Sequence, residues 1–391
     1  MCCMNIFTEE TMELFDGASG ALENMLIVKA DVKNAPIGGT MELLPLCNMD
    51  CKMCYIRMSR AEMEQHGRML SCDEWLAVAQ SAKEAGVLFL LLTGGEPLMY
   101  PEFKRLYLEL LNMGFIITIN TNGTLIDEEW ADFFAQHPCR RMNITLYGKD
   151  DATYGELCRN PRGFSQVDRA VRLLKERKIP FRFNFTSTPS NIDQLAELYA
   201  YAQSVGIPMF FTTNVFPPAR KEGEGDHQER LSPQRCAQAH VDGVRITKPG
   251  IIMPMYAQNY LKRLKEPVFN WASGKRCRAG ISGFWINWKG QLLPCGMFDE
   301  PKVSLLESSF EDAWKQIAAR FRETPLCEDC ETCKMRNVCA VCFANCYTET
   351  GSTAGKPQYL CDTTMETIKL LLNYLTEEEK AEYQELLEGI I

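Results

Sequence analysis

From about residue 39 to residue 216 the chain alternates short apolar runs with amphipathic stretches. The runs Met41–Leu46, Leu88–Thr93, Phe115–Asn120, Met142–Tyr147, Phe181–Ser187 and Met209–Val215 are rich in Ile, Leu, Phe and Thr, and short enough to be buried strands. Between them Cys72–Ala85, Pro101–Met113, Glu128–Gln136, Phe164–Lys178 and Ile192–Val205 show helical spacing, with Ser71, Asp127 and Asn191 at cap positions. Six successive β/α units predict a parallel sheet, because parallel neighbours need a crossover. Six units are fewer than the eight of a closed barrel, so the expected core is a partial, TIM-like (β/α)6 barrel.

The alternation stops near residue 216. Phe216-Pro-Pro and the charged stretch Lys221–Glu229 read as a loop, and a less regular segment runs on to about 275. Gly283–Cys295 has apolar and aromatic residues on both sides of Lys289-Gly290, the pattern of a β-hairpin. The last thirty residues read as helical, with Thr376 and Glu379 forming a capping box before Ala381–Leu387. The expected division is an N-terminal extension (1–38), a barrel core (39–220), a connecting segment (221–275), a small Cys-rich domain (276–361) and C-terminal helices (362–391).

Composition narrows the function. No run approaches the roughly 18 apolar residues of a membrane span, and MCCMNIFTEETMELF lacks the basic start and apolar stretch of a signal peptide. The expected location is the cytoplasm, with no membrane partner. Net charge is −9 and pI about 5.3, with only short basic pairs such as Arg140-Arg141, which argues against nucleic acid as a partner.

The 18 cysteines are unevenly spread. In a reducing compartment clustered thiolates more often hold metal than form disulfides. Cys47, Cys51 and Cys54 form one group; Cys277, Cys295, Cys327, Cys330, Cys333, Cys339, Cys342, Cys346 and Cys361 form another. Cys2, Cys3, Cys72, Cys139, Cys158 and Cys236 read as small apolar residues or incidental thiols. The first group, CNMDCKMCY, directly follows the first predicted strand, on the sheet edge where such folds bind ligands. Three cysteines leave one iron of a cubane cluster open, whereas structural zinc usually takes four ligands, and the nearest histidine is His66.

Here the sequence resembles the radical S-adenosylmethionine (SAM) superfamily. CNMDCKMCY matches its CxxxCxxC loop, and Gly94-Gly95-Glu96-Pro97, after the second predicted strand, matches its GGEP motif. The resemblance implies a [4Fe-4S] cluster whose open iron chelates the amino and carboxylate groups of SAM. It also implies that the GGEP segment binds the methionine amino group. Glycines there allow close backbone approach, and Glu96 can accept from an ammonium. Met53 stands where the family often has an aromatic residue, with Tyr55 after the third cysteine, and is expected to pack on adenine. Thr121-Asn122-Gly123 follows the third strand as in many members. Thr145 matches the position whose hydroxyl touches the SAM ribose, although a β-branched residue also suits a strand. Arg159 and Arg162 are candidates for the SAM carboxylate.

The spacing Cys277-x12-Gly290-x4-Cys295, then Cys330-x2-Cys333-x5-Cys339-x2-Cys342, then Cys361 resembles the SPASM extension of these enzymes, with the gap before Cys342 one residue short. The resemblance implies two auxiliary [4Fe-4S] clusters. Cys330, Cys333, Cys339 and Cys361 would ligate one. Cys277, Cys295 and Cys342 would contribute to the other, with Cys327 or Cys346 as fourth ligand. A zinc ribbon on Cys327, Cys330, Cys339 and Cys342 is the alternative reading of the spacing alone.

The resemblance further implies an enzyme that cleaves SAM reductively to a 5′-deoxyadenosyl radical and modifies a peptide or protein by crosslinking, epimerisation or oxidation. Its electron donor would be a flavodoxin or ferredoxin. Segment 1–38 is too short for the leader-binding domain of many peptide-modifying members, so a separate leader-binding protein is an expected partner. Radical dehydrogenation of a small molecule is one alternative. A sulfatase-maturing activity is another, but that branch has an Asp directly after the cysteine matching Cys295, and here Gly296 comes next; Asp299 reads as a surface turn residue. A protein that only relays electrons would explain the cysteines but not GGEP.

Overall fold

The computed structural model describes residues 21–217, 229–248, 250–267 and 277–388. The expected loop Lys221–Glu229, except Glu229, lies outside the described residues, as do Cys2 and Cys3. Two compact units form: Met1–Asn184 with Pro218–Glu222 and Arg276–Thr324, and Phe185–Pro217 with Gly223–Lys275 and Pro325–Ile391.

In chain order the strands are β1 (Gly38–Glu42), β2 (Phe89–Thr93), β3 (Ile116–Thr121), β4 (Arg141–Leu146), β5 (Phe181–Thr186), β6 (Met209–Thr212), β7 (Gly283–Ile286), β8 (Gln291–Leu293) and β9 (Val303–Ser304). Their order in the sheet is β6-β5-β4-β3-β2-β1-β7-β8-β9. β1, β2, β3 and β4 pair in parallel, and helices Cys72–Glu84, Phe103–Asn112, Glu128–Gln136 and Gly163–Glu176 alternate with the strands. The core is the expected partial (β/α)6 barrel, a mixed α/β fold. β7 and β8 form the expected antiparallel hairpin, turning at Gly290 with φ +74°. Unforeseen is that β7 pairs in parallel with β1 and extends the sheet.

β1 lies earlier than the apolar run suggested. Leu43 and Leu44 are fully buried, yet they belong to a close-packed loop that looks like a strand in sequence. The strand itself begins with two glycines, which disfavour strand. At Gly39 a Cβ would stand 2.2 Å from the Phe284 ring, so the β1/β7 pairing itself requires a glycine there.

The register sorts residues onto two faces, since side chains alternate with period two. One face carries Met41, Leu90, Leu92, Ile117, Ile119, Met142, Ile144 and Leu146, all buried. The other carries Thr40, Glu42, Thr93, Thr118, Asn120, Arg141, Asn143 and Thr145, by the pairings Glu42↔Thr93, Thr118↔Arg141 and Asn120↔Asn143, together with the half-buried Phe89 and Leu91 and the exposed Ile116. At the carboxyl ends of β1 to β4 this inner face is polar, and the end of β1 leads into the first cysteine loop.

The second unit is largely helical. The segment expected to be less regular holds Pro233–Thr247 and Met253–Lys262. Two features broke the helical pattern in sequence: prolines at the first turns, where helices tolerate them, and Gly243. At Gly243 a Cβ would stand 2.2 Å from the Phe211 ring. Helices Gln358–Leu372 and Glu377–Leu387 close the chain, the latter with the expected capping box: Thr376 N–H donates to Glu379 at 2.7 Å and Glu379 N–H to Thr376 Oγ1 at 3.3 Å. Val241, Leu261, Met335, Ile368 and Leu371 lie in its core. Among the described residues no helix is long and apolar enough to cross a membrane.

Candidate functional site

Two short loops are clamped together at the carboxyl ends of β1 and β2. Leu43 N–H donates to Thr93 O at 2.9 Å, Gly95 N–H to Leu44 O at 2.7 Å, and Glu96 N–H to Leu46 O at 3.0 Å. The approach is so close that a Cβ on Gly94 would lie 2.6 Å from Leu44 O, and one on Gly95 2.3 Å from Leu46 O. These glycines hold the root of the cysteine loop, with Cys47 the next residue after Leu46.

Glu96 is fully buried and starts a 3-10 turn at Pro97. Leu98 N–H and the Thr121 hydroxyl donate to its Oε1 at 3.1 and 2.8 Å, and Asn122 N–H donates to Oε2 at 2.8 Å. A carboxylate offers about four lone-pair positions, so one on Oε2 is left for a ligand. Burial pushes the carboxyl up to about 7 against the lowering pull of those three bonds, an environment that an ammonium group would complete.

The loop after β3 reaches the sulfurs. Asn122 donates through Nδ2 to Asn48 Oδ1 at 2.9 Å and lies 3.7 Å from Cys47 Sγ. Asn48 Nδ2 in turn donates to Thr124 Oγ1 at 2.8 Å. Backbone amides point at two of the three sulfurs: Met49 N–H at Cys47 Sγ, 3.4 Å, and Arg57 N–H at Cys54 Sγ, 3.3 Å. Asp50 N–H and Lys52 N–H donate to the carbonyls of Cys158 and Leu157, tying the loop to the end of helix Asp151–Cys158. Ion pairs Lys52–Glu156 and Arg159–Asp50, both 3.6 Å, support the same junction. Burial pushes the Cys47 thiol up to about 12. The Cys51 thiol is raised first by the neighbouring Cys158 thiol, then by burial.

The remaining residues singled out from sequence are spread over both units. Pro97 is buried and Met53 half-buried on the cysteine loop. Thr145 is half-buried on the inner face of β4. Arg159, in the left-handed region at φ +53°, is held by Asp50, and Arg162 is exposed. Cys277 and Cys295 are half-buried in the first unit, and Met297 N–H points at Cys295 Sγ at 3.4 Å, the same local arrangement as at Cys47. In the second unit Cys327, Cys330, Cys339 and Cys346 are buried together with Val341 and Leu360. The Cys361 thiol is pushed up to about 12, first by burial and then by Cys339, Cys330 and Cys333. Cys330 is raised first by its contact with Cys346. Cys342 is half-buried, its thiol donating to Asn345 Oδ1 at 2.8 Å.

Among the described residues no three His, Cys, Asp or Glu side chains are gathered as a ready site for a single metal ion. The donors around the first loop suit thiolates nonetheless. A ligating sulfur carries negative charge, and amide N–H groups aimed at Cys47 and Cys54 are the contacts that tune such clusters. Sequence reasoning missed Asn48, Thr124, Cys158 and Glu42. Of these only Glu42 left a signal, a lone charge within an apolar strand.

The barrel, the three-cysteine loop and the glycine clamp define a radical SAM protein. A sequence profile described as the Radical SAM superfamily matches residues 41–202, and these residues belong to that superfamily, followed by a Cys-rich region of the SPASM type. An AdoMet-dependent heme synthase of Nitratidesulfovibrio vulgaris is 24% identical over 326 residues, covering 79% of this chain and 88% of that protein. The PqqA peptide cyclase of Granulibacter bethesdensis is 26% identical over 317 residues, covering 78% and 81%. Among solved structures, Streptococcus suis SuiB bound to the precursor peptide SuiA shares the fold at TM-score 0.65 and 19% identity, covering 86% of this chain and 78% of that one. The enzyme anSMEcpe with bound AdoMet does so at 0.64 and 19%, covering 88% and 97%. Residues 41–202 thus form a radical SAM domain, in a chain similar both to an AdoMet-dependent heme synthase and to peptide-modifying members of the superfamily.

Proposed function

We propose that the protein binds SAM at the junction of the loops after β1, β2 and β3 and uses it to modify a peptide. Cys47, Cys51 and Cys54 would hold a [4Fe-4S] cluster. When bound, that cluster supplies the electron that cleaves SAM to methionine and a 5′-deoxyadenosyl radical. Glu96 Oε2 accepts from the methionine ammonium, Gly94 and Gly95 keep the two loops in contact, and Asn122 links Glu96 to the Cys47 sulfur. Thr145 and Met53 would receive the ribose and the adenine. The observation that carries this reading is the Gly95–Leu44 and Glu96–Leu46 clamp, which sets a buried carboxylate with one open lone pair beside a loop of three cysteines.

Auxiliary clusters on Cys330, Cys333, Cys339 and Cys361, and on Cys277, Cys295 and Cys342 with Cys327 or Cys346, are part of the proposal. The effect of Cys339, Cys330 and Cys333 on the Cys361 thiol supports the first set, while the contact of Cys330 with Cys346 brings it beside a candidate ligand of the second. A peptide substrate is supported by the neutral hydroxyl and amide groups of the inner face, which suit backbone amides, and by the named substrates of the cyclase and SuiB. A tetrapyrrole is the second reading, favoured by the heme synthase relative and by Arg141 on the inner face, which could take a carboxylate. A flavodoxin- or ferredoxin-type donor and a separate leader-binding protein are further proposed partners. Anaerobically reconstituted protein with SAM and dithionite should release 5′-deoxyadenosine. The Cys47→Ala/Cys51→Ala/Cys54→Ala protein should release none, and release at the parental rate would refute the site.

A further inference from the structure

Trp285 lies on the inner face of the sheet, opposite Thr40 in the β1/β7 register, and is only half-buried. The core does not require it there. Its neighbours Phe284 and Ile286 point to the apolar face and are buried, and the Phe284 ring packs edge-on against Phe310 at 4.9 Å. The indole is instead fixed in two ways. Its Nε1–H donates to Glu42 Oε2 at 2.7 Å, and Glu42 is a carboxylate with no exposed surface. Burying a charge is costly unless it is hydrogen-bonded, and a charge-assisted bond from an indole N–H sets the plane of the ring. The second constraint is Gly296, the residue after Cys295. A Cβ there would stand 2.6 Å from the ring, so the peptide backbone lies against the indole and only glycine fits. An aromatic ring whose polar tip is satisfied and whose plane is locked, yet which stays partly open on the inner face, is preorganised to receive a ligand.

We propose that Trp285 is a specificity-determining platform, oriented by Glu42 and Gly296, which stacks on an aromatic or large apolar side chain of the substrate and so places that side chain beside the Cys295 loop. This inference rests on the peptide reading of the substrate. Glu42 acts through the indole and is a positioning residue.

The test uses the full-length, anaerobically reconstituted protein with SAM, and a displayed library of random-sequence peptides as probe. The wild-type protein should enrich peptides with Phe, Tyr, Trp or Leu at one fixed position. Trp285→Ala should reduce that preference about tenfold, the order expected for losing a stacked aromatic contact with its buried area, while peptides are still captured. Trp285→Leu, which keeps apolar volume should the alanine variant misfold, should retain Leu and lose the aromatic residues. Glu42→Gln keeps an oxygen to accept from the indole and should preserve the preference, whereas Glu42→Leu should weaken it. If both Trp285 variants enrich the same peptides as the wild type, the platform is wrong and the peptide reading stands. If the wild type enriches no peptide at all, the peptide reading fails and the inference falls with it.

Discussion

In the loop from Cys47 to Cys54, amides of Met49 and Arg57 point at sulfur, and backbone bonds from Gly95, Glu96, Asp50 and Lys52 hold the loop from both sides. Around Cys327–Cys346 in the second unit the cysteines are themselves part of the packing. Cys327, Cys330, Cys339 and Cys346 form a buried cluster with two aliphatic residues, and short elements such as Glu328–Glu331 supply little else. The first geometry is set by the chain; the second is what the proposed auxiliary clusters would complete. Cluster binding in such a small Cys-rich segment would be folding free energy, whereas at the barrel edge it would fill a site the fold has already built.

The largest expected effect breaks the two regions apart directly. Chelating iron from the protein should leave the amides of Leu43, Gly95 and Glu96 protected from hydrogen exchange, while amides around Cys330–Cys346 lose protection by orders of magnitude. Equal loss in both regions would contradict the contrast. Next comes Gly95→Ala. Its methyl would meet Leu46 O at 2.3 Å, and overpacking of this kind costs about 1–3 kcal/mol. Denaturant melts should show that loss, and SAM binding should fall with it, because the clamp must open. Gly86→Ala, with open space around its Cβ but φ +91°, is a useful control for simple backbone strain.

A smaller effect is expected at Glu96. Hydrogen bonds to charged groups contribute about 1.5–3 kcal/mol against about 1 for neutral ones, so Glu96→Gln should weaken SAM binding about tenfold by calorimetry. The sign of the pH dependence follows from the carboxyl, which burial pushes up to about 7. Below that pH the carboxyl holds a proton that must leave before it can pair with an ammonium. SAM affinity should therefore fall as pH drops through 7, and the dependence should vanish in Glu96→Gln.

Five of the six barrel strands lie within a few residues of the apolar runs that mark them in sequence, because buried strands need Ile, Leu, Phe and Thr in succession. β1 was displaced because Leu43–Leu46 is apolar for a different reason, as a buried loop under the Gly94–Gly95 crossing. Helix Asp151–Cys158 was hidden by Thr153 and Gly155, weak helix formers, and Cys158 read as incidental although its carbonyl receives the cysteine loop. In the candidate site, the three cysteines and Gly94–Pro97 were legible because both motifs are contiguous. Glu42 and Trp285 meet only through the β1/β7 pairing, a contact between residues 243 positions apart. Long-range register leaves no local trace in sequence.

The proposed division of labour, in which the barrel-edge cysteines serve SAM cleavage and the second-unit cysteines do not, is open to one direct measurement. It compares 5′-deoxyadenosine and iron in parallel for Cys51→Ala and Cys330→Ala, each purified soluble and reconstituted anaerobically with SAM and dithionite. Cys51→Ala should give only background 5′-deoxyadenosine. Cys330→Ala should continue to release it, with iron lower by up to one cluster's worth. Loss of SAM cleavage in a folded Cys330→Ala protein, or its survival in Cys51→Ala, would overturn that division.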